Sequence, residues 1–350
     1  MRKLNNDGGE AKNYLGQVKK RLSLEHIKNH LEQLKDTKVL VIGDTIIDEY
    51  VFVLPKGRAI KDPILSVEYQ YHEEYPGGIL AVANHISDFV NKVKLVTLVG
   101  DKNPRLSFIK NSVKDNVELK TFTKEDSYTT VKRRYINSYR NVKLFKIEYM
   151  NDKPISEELS KKIVDYLHAE APNYDLVVVS DFGHGFLNKA IKQKLREKAK
   201  FLAVNAQSNS ANMGYNYITH YNKPDFMTMS EEELRLPLFM RFEDIDEVIK
   251  EGRNSFKLNN FIVTLGKKGS AYAHQDKLFK APVLISSVKD TVGAGDALFA
   301  LTSLFAYSKA EPELIPFIGN CAGGIAANIM GNKESVNKEK LLSFAGELLR

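Results

Sequence analysis

From Lys38 onward, short β-branched apolar runs alternate with stretches whose apolar residues recur every three or four positions. KVLVIGD (Lys38 to Asp44) ends in a glycine and an acid, the pattern of a buried parallel strand whose carboxyl end opens on a site. KLVTLVGD (Lys94 to Asp101), DLVVVSDFG (Asp175 to Gly183), KFLAVN (Lys200 to Asn205), PDFMTMS (Pro224 to Ser230) and NFIVTLG (Asn260 to Gly266) repeat it. The alternation predicts an α/β fold, a doubly wound and mostly parallel sheet with helices on both faces. Within residues 1–36, the spacing of Leu24, Ile27, Leu31 and Leu34 predicts one amphipathic helix behind a polar tail. Residues 331–350 read as a loop and a final helix.

Two segments lack the helical period. Residues 51–78 and TTVKRRYINSYRNVKLFKIEY (Thr129 to Tyr149) carry alternating apolar residues and read as antiparallel strands added to the sheet edge. Inserted at about 50–75 and 128–150 in a domain over 37–350, they would form a small β-sheet lid over the strand ends, where such folds bind ligands. Exposed lid edges make a homodimer an expectation.

Composition narrows the function classes. With 43% hydrophobic and 27% charged residues the chain is of globular type, not disordered as a whole. One cysteine, Cys321, can make neither an internal disulfide nor a cysteine zinc cluster, so a reducing, cytoplasmic setting is expected. No run of about 18 apolar residues is present, so no membrane span is expected. The net charge of +7 suits anionic partners, either nucleic acid or phosphorylated small molecules. The basic residues are scattered among acids without a nucleic-acid-binding motif, so no nucleic acid partner is expected.

The chemistry concentrates in SVKDTVGAGDALFALTSLFAYSKA, Ser287 to Ala310. Gly293 and Gly295 precede a helical run, whose first amides lack intrahelical partners and whose dipole is positive at that end. Asp296 in the first turn would stand beside a bound phosphate, able to take a proton from an attacking hydroxyl. On GAGD alone, an ordinary turn with a dipole-favoured acid explains the pattern as well.

The wider string changes the balance. DTVGAGD, the VIGD strand, the PGG turn and VTLGKKGS, in order through about residues 38 to 335, resemble the ribokinase-like carbohydrate kinases, or PfkB family. The resemblance implies Asp296 as catalytic base, with Gly293, Ala294 and Gly295 as the anion hole. It implies ATP and Mg²⁺ as cofactors. Asp290 and Thr291 match the entry to the turn, where some members hold a monovalent cation such as K⁺. Thr264, Gly266 and Gly269 would lie near ATP and Asn320 on its adenine side, although close helix packing accounts for the Asn320 region equally. Glu233 matches the acid of an Asn-x-x-Glu motif that organises Mg²⁺ through water, with Ser230 in place of the asparagine. Asp48, Gly77 and Gly78 match acceptor-side positions. The two inserted segments resemble those of heptose 7-phosphate kinases, with Lys132 and Arg134 alternating on one strand face as candidates for a substrate phosphate and Arg58 as a helper. Solvated surface charge is the plainer reading of each basic residue taken singly. Asp44 would support the turn, and His184 is left outside the mechanism as a loop histidine.

Two departures stand out. Family members place an asparagine shortly after the double glycine; here Ala81 takes that place, with Asn84 one helical turn on as a partial substitute. VNAQSNSANMGYN replaces a charged segment by Asn205, Gln207, Ser208 and Asn212, a pattern similar to kinase-like domains fused to a nucleotidyltransferase, so a separate nucleotidyltransferase is an expected partner. The chain is therefore expected to phosphorylate a hydroxyl of a sugar or sugar phosphate. The alternatives are a non-catalytic nucleotide- or sugar-binding regulator derived from this fold, and a nucleoside kinase.

Overall fold

Strand β1 (Lys38–Arg58) shows how the sequence builds two apolar layers: Val39 and Val41 enter one core, Leu40 and Ile42 the other. Period-two alternation in a strand covered on both faces requires this. The computed structural model describes residues 9–212 and 214–350. The further strands are β2 (Leu65–Gly78), β3 (Lys92–Gly100), β4 (Val117–Lys124), β5 (Val131–Asn137), β6 (Val142–Tyr149), β7 (Leu176–Asp181), β8 (Leu202–Ala206), β9 (Phe226–Ser230), β10 (Asn260–Thr264), β11 (Ser270–His274) and β12 (Lys277–Ala281). The helices are α1 (Gly9–Val18), α2 (Leu24–Leu34), α3 (Ile79–Ser87), α4 (Leu106–Ser112), α5 (Glu157–Glu170), α6 (Lys189–Lys198), α7 (Glu231–Leu238), α8 (Ile245–Phe256), α9 (Ala294–Tyr307), α10 (Leu314–Ala326) and α11 (Lys338–Leu349).

The central sheet has the order β12-β11-β10-β9-β8-β7-β1-β3-β4. It is parallel except for the β10–β11–β12 edge, which is antiparallel. Helices α1, α2, α3, α9, α10 and α11 contribute to one core, and α5, α6, α7 and α8 to the other. This is the expected doubly wound α/β architecture. No helix among the described residues is long and apolar enough to cross a membrane.

Beyond Asp44, β1 leaves the central sheet without a break and becomes an inner strand of a second sheet, ordered β2-β1-β5-β6. The expected antiparallel edge strands need one correction, because β5 runs parallel to β1. The chain returns to this sheet only after β3, α4 and β4, and a long crossover of that kind permits parallel pairing. A second correction concerns residues 9–34, which form two helices instead of one. Ser23 interrupts the run by accepting the His26 N–H at 3.3 Å, an N-cap that starts α2 afresh. The first eight residues of the expected polar tail lie outside the described residues.

Candidate active site

Helix α9 begins at the carboxyl edge of the central sheet with Gly293 at φ 85°. A Cβ at that position would overlap the Asn332 side chain, so both the left-handed backbone and the close approach select glycine. Ala294 N–H donates to Thr291 O at 3.3 Å, which takes it out of the anion hole expected there. Gly293, Gly295, Thr291 and Val292 line a cleft of about 340 Å³, and Asp296 in the first turn of α9 faces the same space.

The second sheet supplies the opposite wall. Its register aligns Asp48, Lys132 and Glu148 in one cross-strand row and Tyr50, Arg134 and Lys146 in the next. Alternation puts both rows on one face, and Asp48, Lys132, Arg134 and Lys146 all line the cleft. Arg134 Nη1 is paired with Asp48 Oδ1. Lys146 Nζ lies 3.0 Å from Glu148 Oε1 and donates to Ser210 Oγ at 2.9 Å. Gly77 is needed beside this wall, because a Cβ there would overlap Asp48 Oδ2. Gly78 also lines the cleft.

Burial pushes the Asp296 carboxyl up to about 7, and the Asp48 charge adds to the rise. Gln207, whose Nε2 lies 3.5 Å from Asp296 Oδ1, and the Lys132 charge pull the other way. The result is a carboxyl poised to exchange a proton near neutrality. Lys132 is held below its usual value by burial, which the charges of Glu148 and Asp48 oppose.

The asparagine-rich segment after β8 forms the third wall. Asn209 and Asn212 donate to Phe182 O at 2.8 and 3.0 Å, and Asn216 to Asp181 O at 2.9 Å. These amides tie loop backbone together, the usual role of asparagine in irregular segments. Asn205 donates to Thr228 O at 3.0 Å and accepts from Gln207 at 2.8 Å, which aims Gln207 at Asp296. Glu233 anchors the segment from α7: its oxygens accept Ser208 N–H at 2.9 Å and Ser230 N–H at 2.7 Å, the latter within a capping box. Each Glu233 oxygen thus accepts one amide and keeps a lone pair that a water of a hydrated Mg²⁺ could use. Among the described residues, no group of three or more His, Cys, Asp or Glu could hold a metal ion.

Several expected residues stand elsewhere. Asn84 does not substitute at the acceptor side: its amide donates to Ser112 O at 2.7 Å and accepts Lys114 N–H at 3.2 Å, clamping the α4–β4 loop. Arg58 is exposed at the far end of β1, roughly 30 Å along the strand from Asp48 at the usual rise per residue. Asn320 is committed to Ser270 Oγ (2.9 Å), Ala281 O (2.7 Å) and Pro282 O (2.8 Å), so it braces β11 against the end of β12 and the loop after it and has no free amide for adenine. Thr264 ends β10 beside Ser230 and Ser270, followed by the turn holding Gly266 and Gly269, on the carboxyl edge shared with Asn205. Asp290 is saturated by donors and offers no open site for a monovalent cation. Asp44 accepts Phe182 N–H at 2.8 Å, bracing the turn after β7. His184 lies 3.1 Å from Asp152 and outside the cleft. Lys146 joins the site with one weak signal in the sequence, the alternation in KLFKIEY, which cannot tell which face meets the cleft.

Residues 36–332 match the model of the pfkB family of carbohydrate kinases. The chain belongs to that family. Among pfkB relatives, the bifunctional protein HldE of Koribacter versatilis is 26% identical over 317 residues, covering 89% of this chain and 64% of that protein. HldE of Helicobacter pylori strain HPAG1 is likewise covered to 64%, so this pfkB chain spans under two thirds of the curated relatives it matches. Phosphofructokinase-2 of Escherichia coli in complex with fructose-6-phosphate superposes with a TM-score of 0.71 at 13% identity, over 90% of this chain and 100% of that one. The same enzyme in complex with potassium gives 0.70 at 14% identity, with the same coverage. At such identities these structures share the ribokinase-like fold and nothing finer.

Proposed function

We propose that this pfkB kinase transfers the γ-phosphoryl group of ATP to a hydroxyl of a sugar phosphate of the heptose 7-phosphate type. One observation carries the reading: Asp296, at the start of α9, faces a cleft whose other wall presents Asp48, Lys132, Arg134 and Lys146. Asp48 is suited to orient acceptor hydroxyls, since a carboxylate accepts several hydrogen bonds. Asp296 takes the proton of the acceptor hydroxyl as that oxygen attacks the γ-phosphorus. The bond from phosphorus to the oxygen bridging to ADP then breaks, and the electron pair leaves with ADP. Gly295 and Asp296 present their backbone amides to the transferring group, those of Ala294 and Ala297 being engaged with Thr291 O and Gly293 O, and such stabilisation needs no reorganisation. When bound with the nucleotide, Mg²⁺ supplies charge neutralisation, with Glu233 reaching it through water. Thr264, Gly266 and Gly269 are the candidates for the nucleotide side.

The phosphate on the acceptor is the finer part. Lys132, Arg134 and Lys146 on one wall of a small cleft outnumber their carboxylate partners Asp48 and Glu148 by one, and that surplus suits a second phosphate distant from the reacting hydroxyl. HldE relatives and a fructose-6-phosphate-bound neighbour point the same way. ADP release measured across sugars, sugar phosphates and adenosine tests this. The reading expects the highest kcat/KM with a phosphorylated sugar, and faster turnover of free sugars or adenosine contradicts it. A nucleotidyltransferase acting on the product is the partner this reading calls for, and the cytoplasm its location. Exposed Tyr69, Phe145 and Ile147, on the sheet face turned away from the cleft, support a homodimer, which the molecular mass in solution would reveal by light scattering.

A further inference from the structure

A monovalent cation at the entry of the glycine-rich turn is what the family resemblance implies, yet the residues present do not fit one. Asp290 Oδ1 accepts from Lys143 Nζ at 2.6 Å and Val292 N–H at 3.1 Å; Oδ2 accepts from Tyr50 OH at 2.5 Å and Gly331 N–H at 3.0 Å. A carboxylate has about four lone-pair sites, and here four donors meet them. A diffusible cation at this carboxylate would also stand against the Lys143 ammonium.

Lys143 reaches Asp290 because of a local irregularity in the second sheet. A register shift between Tyr135 and Ile136 pairs Tyr135 with Phe145 but Ile136 with Lys143. Simple alternation would turn Lys143 and Lys146 to opposite faces, being an odd number of residues apart; the bulge brings both to the cleft side. There the Lys143 ammonium lies 5.6 Å from the centre of the Tyr50 ring. One carboxylate thus joins β6 and β1 of the second sheet to the glycine-rich turn and to the loop after α10. Burial works against the Asp290 charge, but Lys143, Tyr50 and the two amides outweigh it and hold the carboxyl below its usual value.

We infer that the Lys143 ammonium is a tethered replacement for a monovalent cation, a positioning residue that fixes the glycine-rich turn through Asp290 whatever salt surrounds the protein. The positioning matters for catalysis on the reading proposed above, but the replacement itself can be read without substrate. The experiment compares potassium chloride with tetramethylammonium chloride at equal ionic strength, following melting temperature without substrate and, separately, the phosphorylation rate. The wild-type protein is expected to show the same melting temperature and rate in both salts. Lys143→Ala is expected to melt lower and to regain part of the loss in potassium only, because the vacated Asp290 oxygens then accept the ion, whereas Lys143→Arg should stay salt-indifferent. A potassium-specific rise in wild-type stability or rate would overturn the inference. So would a Lys143→Ala protein that matches the wild type in both salts, or one whose loss potassium fails to reduce. If Lys143→Ala does not fold, the wild-type comparison and Lys143→Arg decide. Absence of kinase activity with every acceptor would count against the functional proposal and leave the melting comparison intact.

Discussion

Gln207 aims its side-chain amide at Asp296 Oδ1 across 3.5 Å while also donating to Asn205 at 2.8 Å. A donor at that place favours the ionised carboxylate, so Gln207 partly offsets the burial that raises Asp296.

Replacing Gln207 by leucine therefore raises the apparent pKa on the acid limb of kcat/KM. In the wild type that limb should fall near 7, where Asp296 loses its proton. The variant should be slowest relative to wild type below that point and should recover as pH rises. A pH profile of kcat/KM checks this, and an unshifted acid limb would remove Gln207 from the account.

Stability carries the same signature with a definite sign. Asp296 has its folded value at about 7, above its ordinary 3.8, so between these values the native state holds a proton that the unfolded chain has lost. Its contribution is complete below 3.8 and is lost as pH rises through about 7. Asp296→Asn removes the cost of a buried charge, so denaturation at about pH 8 should find the variant more stable, by on the order of a few kcal/mol at most. Its stability should also vary less with pH.

On the facing wall, Lys146→Met should raise the KM for a phosphorylated acceptor by about tenfold or more, the scale of one lost charged hydrogen bond. The KM for ATP should hardly change. Arg58→Met, far along β1, should leave both constants as they are. Steady-state kinetics with each substrate varied in turn distinguishes these outcomes.

Ser230 and Glu233 link helix stability to the site. Ser230→Ala removes one half of the capping box and should lower stability by about 1 kcal/mol. Glu233→Ala should cost more and should also reduce kcat, because Ser208 loses the acceptor that fixes the Gln207 segment. Thermal denaturation run alongside kinetics separates the two effects.

Features that depend on local order are legible in the sequence. The strand at Lys38–Asp44 announces itself because neighbouring residues must satisfy two cores at once, and Asp296 because a glycine pair and a helix start lie in one short string. Residues whose role depends on distant chain are hidden. Asn84 has the right helical offset to replace an asparagine at position 81, but the loop at Ser112 and Lys114 claims its amide. The facing of Lys143 and Lys146 rests on a bulge that alternation does not announce. The parallel pairing of β1 with β5 joins segments separated by β2, α3, β3, α4 and β4, and the break at Ser23 depends on one side-chain hydrogen bond.

The most direct test is the phosphorylation rate of Asp296→Asn on the best acceptor, together with proof by circular dichroism and ATP binding that the variant is folded and loaded. The account predicts a loss of kcat on the order of 10²–10⁴, the range for removing a general base, with ATP affinity nearly intact. A folded, nucleotide-binding variant that turns over at the wild-type rate would contradict it.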